Sequence, residues 1–319
     1  MWKLSMKLFK IPAFALFTAL FLGGCTVETA NNPAQRTYTG KGPIQVVTTI
    51  GMVADIVQNV GGERVKTTAL MGAGVDPHLY KATPGDIDKL SRADMVFYSG
   101  LHLEGKMADI LEKMNAQKPS VAVAEGIPED QLLRSDSTTQ YHDPHLWFDV
   151  KKWMLATEAA RDALVKFDPQ SAELYRQNTT AYLEKLRQLD AYAKTELAKV
   201  PKERRVLVTA HDAFNYFGKA YGIEVMGLQG LSTASEVSLR DVQRIVDVLS
   251  KRKIKAVFVE SSVPKRSIEA VVQGARSKGH NVRIGGELFS DAMGRAGTPE
   301  GTYIGMVRHN VDTIVKALR

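Results

Sequence analysis

Between Pro169 and Pro201 the chain carries neither glycine nor proline, and this stretch sets the terms for everything around it. Apolar or bulky residues fall at Tyr175, Thr179, Tyr182, Leu183, Leu186, Leu189, Ala193, Leu197 and Val200. Those steps of three and four mark one face of a helix. Asp168 and Pro169 offer a cap and a first-turn proline. About 30 residues at ~1.5 Å each make a rod of roughly 45 Å. Such a rod runs along two lobes, joins them, and limits hinge motion. A break near Thr179-Thr180 into two shorter helices is the alternative.

On either side of the rod, short β-branched runs alternate with amphipathic segments. The pattern predicts strands at 44–50, 65–71, 95–99 and 121–124, with helices at 52–60, 84–93 and 107–114. After the rod it predicts strands at 206–210, 224–227, 256–260 and 282–285, and helices at 213–221, 239–251, 265–278 and 303–318. Alternation of this kind implies an α/β fold: two βα lobes with mainly parallel sheets, joined by one long rigid helix. The expected division is a leader at 1–24, a tether at 25–42, a lobe at 43–167, the linking helix at 168–202 and a second lobe at 203–319.

The leader carries Lys3, Lys7 and Lys10, an apolar run over 11–22, and Leu22-Gly23-Gly24 before Cys25, the only cysteine. The run is about a dozen residues, short of the roughly 20 that span a bilayer. It reads as an export signal, with lipid attached to Cys25 after cleavage at Gly24. An ordinary secretory signal with an incidental cysteine is the alternative. Once Cys25 is acylated no thiol remains, so any bound metal must be held by nitrogen and oxygen. Of 42 Lys+Arg, loss of the three leader lysines leaves 39 against 35 acids. That small, scattered excess argues against a nucleic-acid partner. Nothing resembles a phosphate loop, so the chain does not itself hydrolyse ATP.

Four polar stretches fall between an expected strand and an expected helix: Asp76-Pro77-His78, Asp143-Pro144-His145, His211-Asp212 and Ser290-Asp291. In open parallel sheets ligands bind outside the carboxyl ends of the strands. Each histidine alone reads as a solvated or core residue. Two separate Asp-Pro-His-Leu tetrads are harder to explain as turns, because proline fixes the backbone beside each histidine and so aims its ring. His78, His145, His211 and Asp291, two from each half, would make a closed shell for a divalent transition metal. His102 is a candidate neighbour of that shell and His142 a competitor for it, whereas His280 and His309 carry little weight. Asp76, Asp143, Asp149 and Asp212 are unranked candidates for orienting a ligand's second ring nitrogen.

Asp143-Pro-His-Leu-Trp-Phe-Asp149, Thr209-Ala-His-Asp-Ala-Phe-Asn-Tyr-Phe217, Gly227-Leu-Gln-Gly-Leu-Ser-Thr-Ala-Ser-Glu236 and Gly285-Gly-Glu-Leu-Phe-Ser-Asp-Ala-Met-Gly294 resemble stretches of the TroA-like metal-binding proteins. These are the cluster A-I, or cluster 9, substrate-binding lipoproteins of zinc and manganese ABC importers. The resemblance covers the chain from about residue 43 onward. It implies two α/β lobes on a long helix, and one metal held by His78, His145, His211 and Asp291. It also implies Zn2+ or Mn2+ as the transported ligand, and membrane permease and ATPase subunits as partners. A lipid anchor at Cys25 on the periplasmic or cell-surface side and monomeric action are further expectations.

Zinc-dedicated relatives commonly carry a His- and acid-rich loop, whereas the insertion at 125–141 here has no histidine; manganese-dedicated ones often have glutamate in place of His211. Three imidazoles favour zinc, and a bidentate Asp291 would give the five-coordinate shell that manganese accepts. A metal-dependent adhesin, a metal store and a zinc hydrolase are the competing functions. The hydrolase requires an open coordination position and a base, and no His-Glu-x-x-His helix is present. Ordinary histidine chemistry predicts that metal affinity falls steeply below roughly pH 6.

Overall fold

The computed structural model describes residues 1–2, 37–134 and 141–319; Cys25, the leader from residue 3 and the tether up to residue 36 lie outside the described residues. In the first half, β1 (Ile44–Thr48), β2 (Val65–Ala69), β3 (Met95–Tyr98) and β4 (Ser120–Ala122) form one parallel sheet in the order β2-β1-β3-β4. Parallel neighbours need crossover connections, here built around α1 (Gly51–Gly61), α2 (Pro84–Arg92) and α3 (Ala108–Asn115). α2 starts where its sequence says. The Thr83 hydroxyl accepts from the Asp86 amide, the Asp86 carboxylate accepts from the Thr83 amide, and Pro84 fills the first helical position.

Next come α4 (Val150–Phe167) and α5 (Ala172–Leu197). α5 is a single helix, so the alternative of a break at Thr179-Thr180 is not realised. The two hydroxyls donate to the carbonyls of Tyr175 and Arg176, one turn back, at 2.7 and 2.9 Å. Its 26 residues span ~39 Å, less than expected because Pro169–Ser171 form a separate 3-10 turn. Asp168 does not cap with its side chain. The buried carboxylate instead accepts from Arg64 Nε and the Tyr175 hydroxyl, each at 2.7 Å.

The second half contains β5 (Val206–Thr209), α6 (Asn215–Tyr221), β6 (Glu224–Gly227), α7 (Leu239–Arg252), β7 (Ala256–Glu260), α8 (Arg266–Ser277), β8 (Arg283–Leu288) and α9 (Tyr303–Leu318). Its strands form two parallel pairs, β5 with β6 and β7 with β8, and β5 lies beside β7. β8 runs past the expected end at 285 because Gly285 and Gly286 serve the sheet and not a turn. A Cβ there would stand 2.7 Å from Ala317 and 2.4 Å from Thr313, so the glycines let α9 lie directly on the strand.

α5 packs on α1 and α4 of the first half and on α6 and α9 of the second. One hydrophobic core runs through both, from Ile44 and Trp147 past Leu186 to Phe214, Tyr303 and Ile314. Stacked rings cross between the halves, Phe148 on Phe214 at 4.2 Å and Trp153 on Tyr303 at 5.5 Å. Packing this continuous resists large rotation of one half against the other. Among the described residues no helix is long and apolar enough to cross a membrane.

Candidate metal centre

The carboxyl ends of the strands deliver four side chains to one point. His78 follows β2 through a turn in which Asp76 Oδ1 accepts from the His78 amide at 2.9 Å. His145 sits in the matching turn after β4. There Asp143 Oδ1 accepts both the His145 amide at 2.9 Å and its ring Nδ1 at 2.7 Å. His211 comes directly after β5. Glu260, the last residue of β7, takes its amide at 2.9 Å and its Nδ1 at 2.6 Å. Asp291 follows β8, and the adjoining Ser290 carbonyl accepts from Trp147 Nε1 of the first half at 3.0 Å. With Nδ1 of His145 and His211 held from behind, each Nε2 faces inward.

Ligand atoms of His78, His145, His211 and Asp291 all lie within 4.8 Å of one another. His78 Nε2 is 3.3 Å from His145 Nε2. Asp291 Oδ2 stands 3.2 Å from His211 Nε2 and 3.5 Å from His78 Nε2, and Oδ1 stands 3.5 Å from His145 Nε2. Four donors at ~2.0–2.1 Å around a tetrahedral zinc ion stand roughly 3.3–3.4 Å apart, and these spacings agree with that figure. Both Asp291 oxygens and His211 Nε2 are buried with no well-aligned hydrogen bond, their near neighbours being one another. Buried polar atoms rarely go unpaired, so a set of inward-facing lone pairs fits a cation. Because each Asp291 oxygen faces different imidazoles, the carboxylate has room to bind through one oxygen or both. His78 is 6 % exposed and the other three at most 1 %, so the four ligand side chains are closed off from solvent.

Electrostatics in the metal-free state are uneven. Burial favours the neutral form of His211, but the facing carboxylates of Glu260 and Asp291 outweigh it and raise its proton affinity well above the ordinary value. Burial would likewise raise Asp291, yet the charges of His211, His145 and His78 hold it well below the usual carboxylate range. His78 is lowered to about 4, by burial first and then by its neighbouring imidazoles, against the pull of Asp291. Beside the expectation of a steep loss near pH 6, the two imidazoles differ: protons compete at His211 at a higher pH than at an ordinary imidazole, and at His78 only near pH 4.

Of the candidate orienting acids, only Asp143 holds a ligand's ring nitrogen. Asp76 takes the His78 amide, Asp149 caps α4 through the Lys151 amide, and Asp212 accepts from the Gly227 amide. Glu260 escaped the sequence reading. Its signal is an acid closing the otherwise apolar strand 256–260, where an ionisable group is almost never buried unpaired. His102 and His142 line a separate recess of about 590 Å³, and the His102 ring lies against Tyr141 at 4.4 Å. His280 and His309 meet the carbonyls of Ile254 and Glu287.

A family profile described as the periplasmic zinc-uptake complex component A, ZnuA, matches residues 46–317. The chain is 52% identical over 309 residues to the manganese-binding lipoprotein MntA of Bacillus subtilis (strain 168), covering 97% of this chain and 99% of that one. It is also 52% identical over 273 residues to the zinc-binding protein TroA of Treponema pallidum (strain Nichols), covering 86% and 88%. The solved structure of the periplasmic zinc-binding protein TroA from Treponema pallidum superposes with a TM-score of 0.84 at 51% identity, covering 87% of this chain and 99% of that chain.

Proposed function

The chain belongs to the ZnuA family of periplasmic zinc-uptake components, and from that premise we propose that it is the extracytoplasmic substrate-binding component of an ABC importer. It captures Zn2+ or Mn2+ between its two halves, acting as lobes on the α5 strut, and delivers the ion to a membrane permease driven by an ATPase. His78, His145, His211 and Asp291 hold the ion, and Asp143 and Glu260 fix the rings of His145 and His211. Export and a lipid anchor at Cys25 keep the protein at the membrane, where it works as a monomer. The observation that carries this reading is the set of unpartnered, inward-facing donor atoms buried where the halves meet. Their spacing supports zinc, and the two free oxygens of Asp291 leave room for the extra bond that manganese accepts.

Four protein ligands close the shell and leave no open position for an activated water, so the protein binds without turning anything over. This weighs against the zinc hydrolase. An adhesin or a metal store would bind the ion equally well but would not support uptake. Cells lacking the protein should lose most high-affinity uptake of radiolabelled zinc or manganese, and normal uptake in such cells would contradict the importer role.

Proton release gives a test of the site itself. The facing carboxylates of Glu260 and Asp291 raise the proton affinity of His211 above that of an ordinary imidazole, and a ligand nitrogen must give up its proton to bind a metal. Capture is therefore expected to expel protons, in a number that grows as the pH falls, with affinity rising as the pH rises. Calorimetric zinc titrations in buffers of different ionisation enthalpy measure that number directly. A value near zero would count against His211 as a ligand.

A further inference from the structure

The two Asp-Pro-His turns share a feature that metal coordination does not use. In each, one carboxylate oxygen serves the turn's own histidine and the other reaches across to the second half of the molecule. Asp76 Oδ1 accepts the His78 amide at 2.9 Å, while Oδ2 accepts from the Thr233 hydroxyl at 2.5 Å. Asp143 Oδ1 accepts from His145 N and Nδ1, while Oδ2 accepts from Asn215 Nδ2 at 3.2 Å. Around Thr233 the chain is tied largely to itself, with Gln229 Nε2 donating to the carbonyls of Thr233 and Ser235 at 3.4 and 2.5 Å. It therefore presents the hydroxyl as a preformed finger. Asn215 opens α6, and the next residue, Tyr216, donates its hydroxyl to the Asp143 carbonyl at 3.1 Å.

We propose that Thr233 and Asn215 are positioning residues that latch the halves shut over the metal, each by donating to the free oxygen of an aspartate whose other oxygen fixes the histidine turn, at the backbone of His78 for Asp76 and at the backbone and ring of His145 for Asp143. This rests on the coordination assigned above. A carboxylate shared in this way couples two events. While the histidine is drawn to the ion, the turn that carries it, and for His145 the ring itself, holds the aspartate in the orientation that meets the donor from the opposite half, and opening the halves strips that donor away. Hydrogen bonds to charged acceptors are the stronger kind, and contacts made only after closure act on the dissociation rate far more than on association. Thr233 and Asn215 touch no ion, so their effect lies in how long it stays.

Release of zinc to a chromogenic chelator, followed by stopped flow, tests the proposal. Thr233→Val keeps the shape and removes the donor, and Asn215→Ala removes the other. Each should release zinc about tenfold faster, equivalent to about 1.4 kcal/mol, with one zinc per chain retained at saturation. The pair should act nearly additively, because the latches serve separate turns. Thr233→Ser restores a hydroxyl and should stay within about twofold of the parent. Far-UV circular dichroism of each metal-free variant should match the parent, so that faster release is not loss of the fold. Release from Thr233→Val within about twofold of the parent would overturn the latch, and so would a fall in zinc content below one per chain. His78→Ala, measured alongside, tests the underlying coordination separately: if it held one zinc with parental release, the coordination would be wrong whatever Thr233→Val did.

Discussion

Replacing His211 with alanine is expected to lower zinc affinity on the order of 10²- to 10³-fold and to destabilise the metal-free protein as well. The first effect follows from ligand count. Apparent binding of ~10–16 kcal/mol shared over four ligands is ~2.5–4 kcal/mol each. The second follows from what is left behind. His211 is wholly buried between the carboxylates of Glu260 and Asp291, with Nδ1 2.6 Å from one and Nε2 3.2 Å from the other. Removing one member of a buried charge pair costs about 3–5 kcal/mol, because its partner stays desolvated and uncompensated. Glu260 keeps the backbone amide at 2.9 Å, which softens the loss, and the variant should still fold at a lower melting temperature. Elemental analysis after dialysis, together with calorimetric melting of the metal-free form, checks both effects. Parental zinc content in this variant would remove His211 from the ligand set.

The second large effect is expected from Glu260→Gln, a change that leaves every metal ligand in place. Glutamine offers one oxygen to His211 Nδ1 but turns its NH2 toward the His211 amide that Glu260 accepts at 2.9 Å, so the ring keeps one support while the negative charge and the amide hydrogen bond are lost. Partners of this kind typically alter metal affinity 10–100-fold, and a loss in that range is expected here. A second readout separates charge from mere packing. Burial opposes the His211 proton and the Glu260 charge is foremost among the causes that favour it, so without that charge fewer protons should be released on capture than from the parent. A variant with weakened zinc binding but an unchanged proton count would show that Glu260 acts by shape alone.

Much of this site was legible in the sequence, for identifiable reasons. The repeated Asp-Pro-His turn announces itself because proline next to histidine is a costly way to make a loop and a good way to aim a ring. The rim position of His211 and Asp291 followed from reading β-branched runs as parallel strands, since such sheets gather ligands at their carboxyl ends. α5 was legible from its apolar period, and its threonines left a break open as the alternative because back-bonding to Tyr175 and Arg176 is invisible without coordinates. Gly285-Gly286 read as a strand end, but close approach of α9 demanded the small residues. Glu260 was missed because its partner lies 49 residues away, in a different strand-to-helix loop. The division of labour between Asp76 and Asp143 had no sequence signal, since identical tetrads place one carboxylate on a ring nitrogen and the other on a backbone amide alone.

X-ray absorption at the zinc K-edge of the loaded protein, paired with an anomalous-difference map from its crystals, tests the central claim most directly. The account predicts one ion per chain bonded to Nε2 of His78, His145 and His211 at ~2.0–2.1 Å and to one or both oxygens of Asp291. An ion found elsewhere, or one in this cleft that leaves any of these side chains uncoordinated, would contradict it.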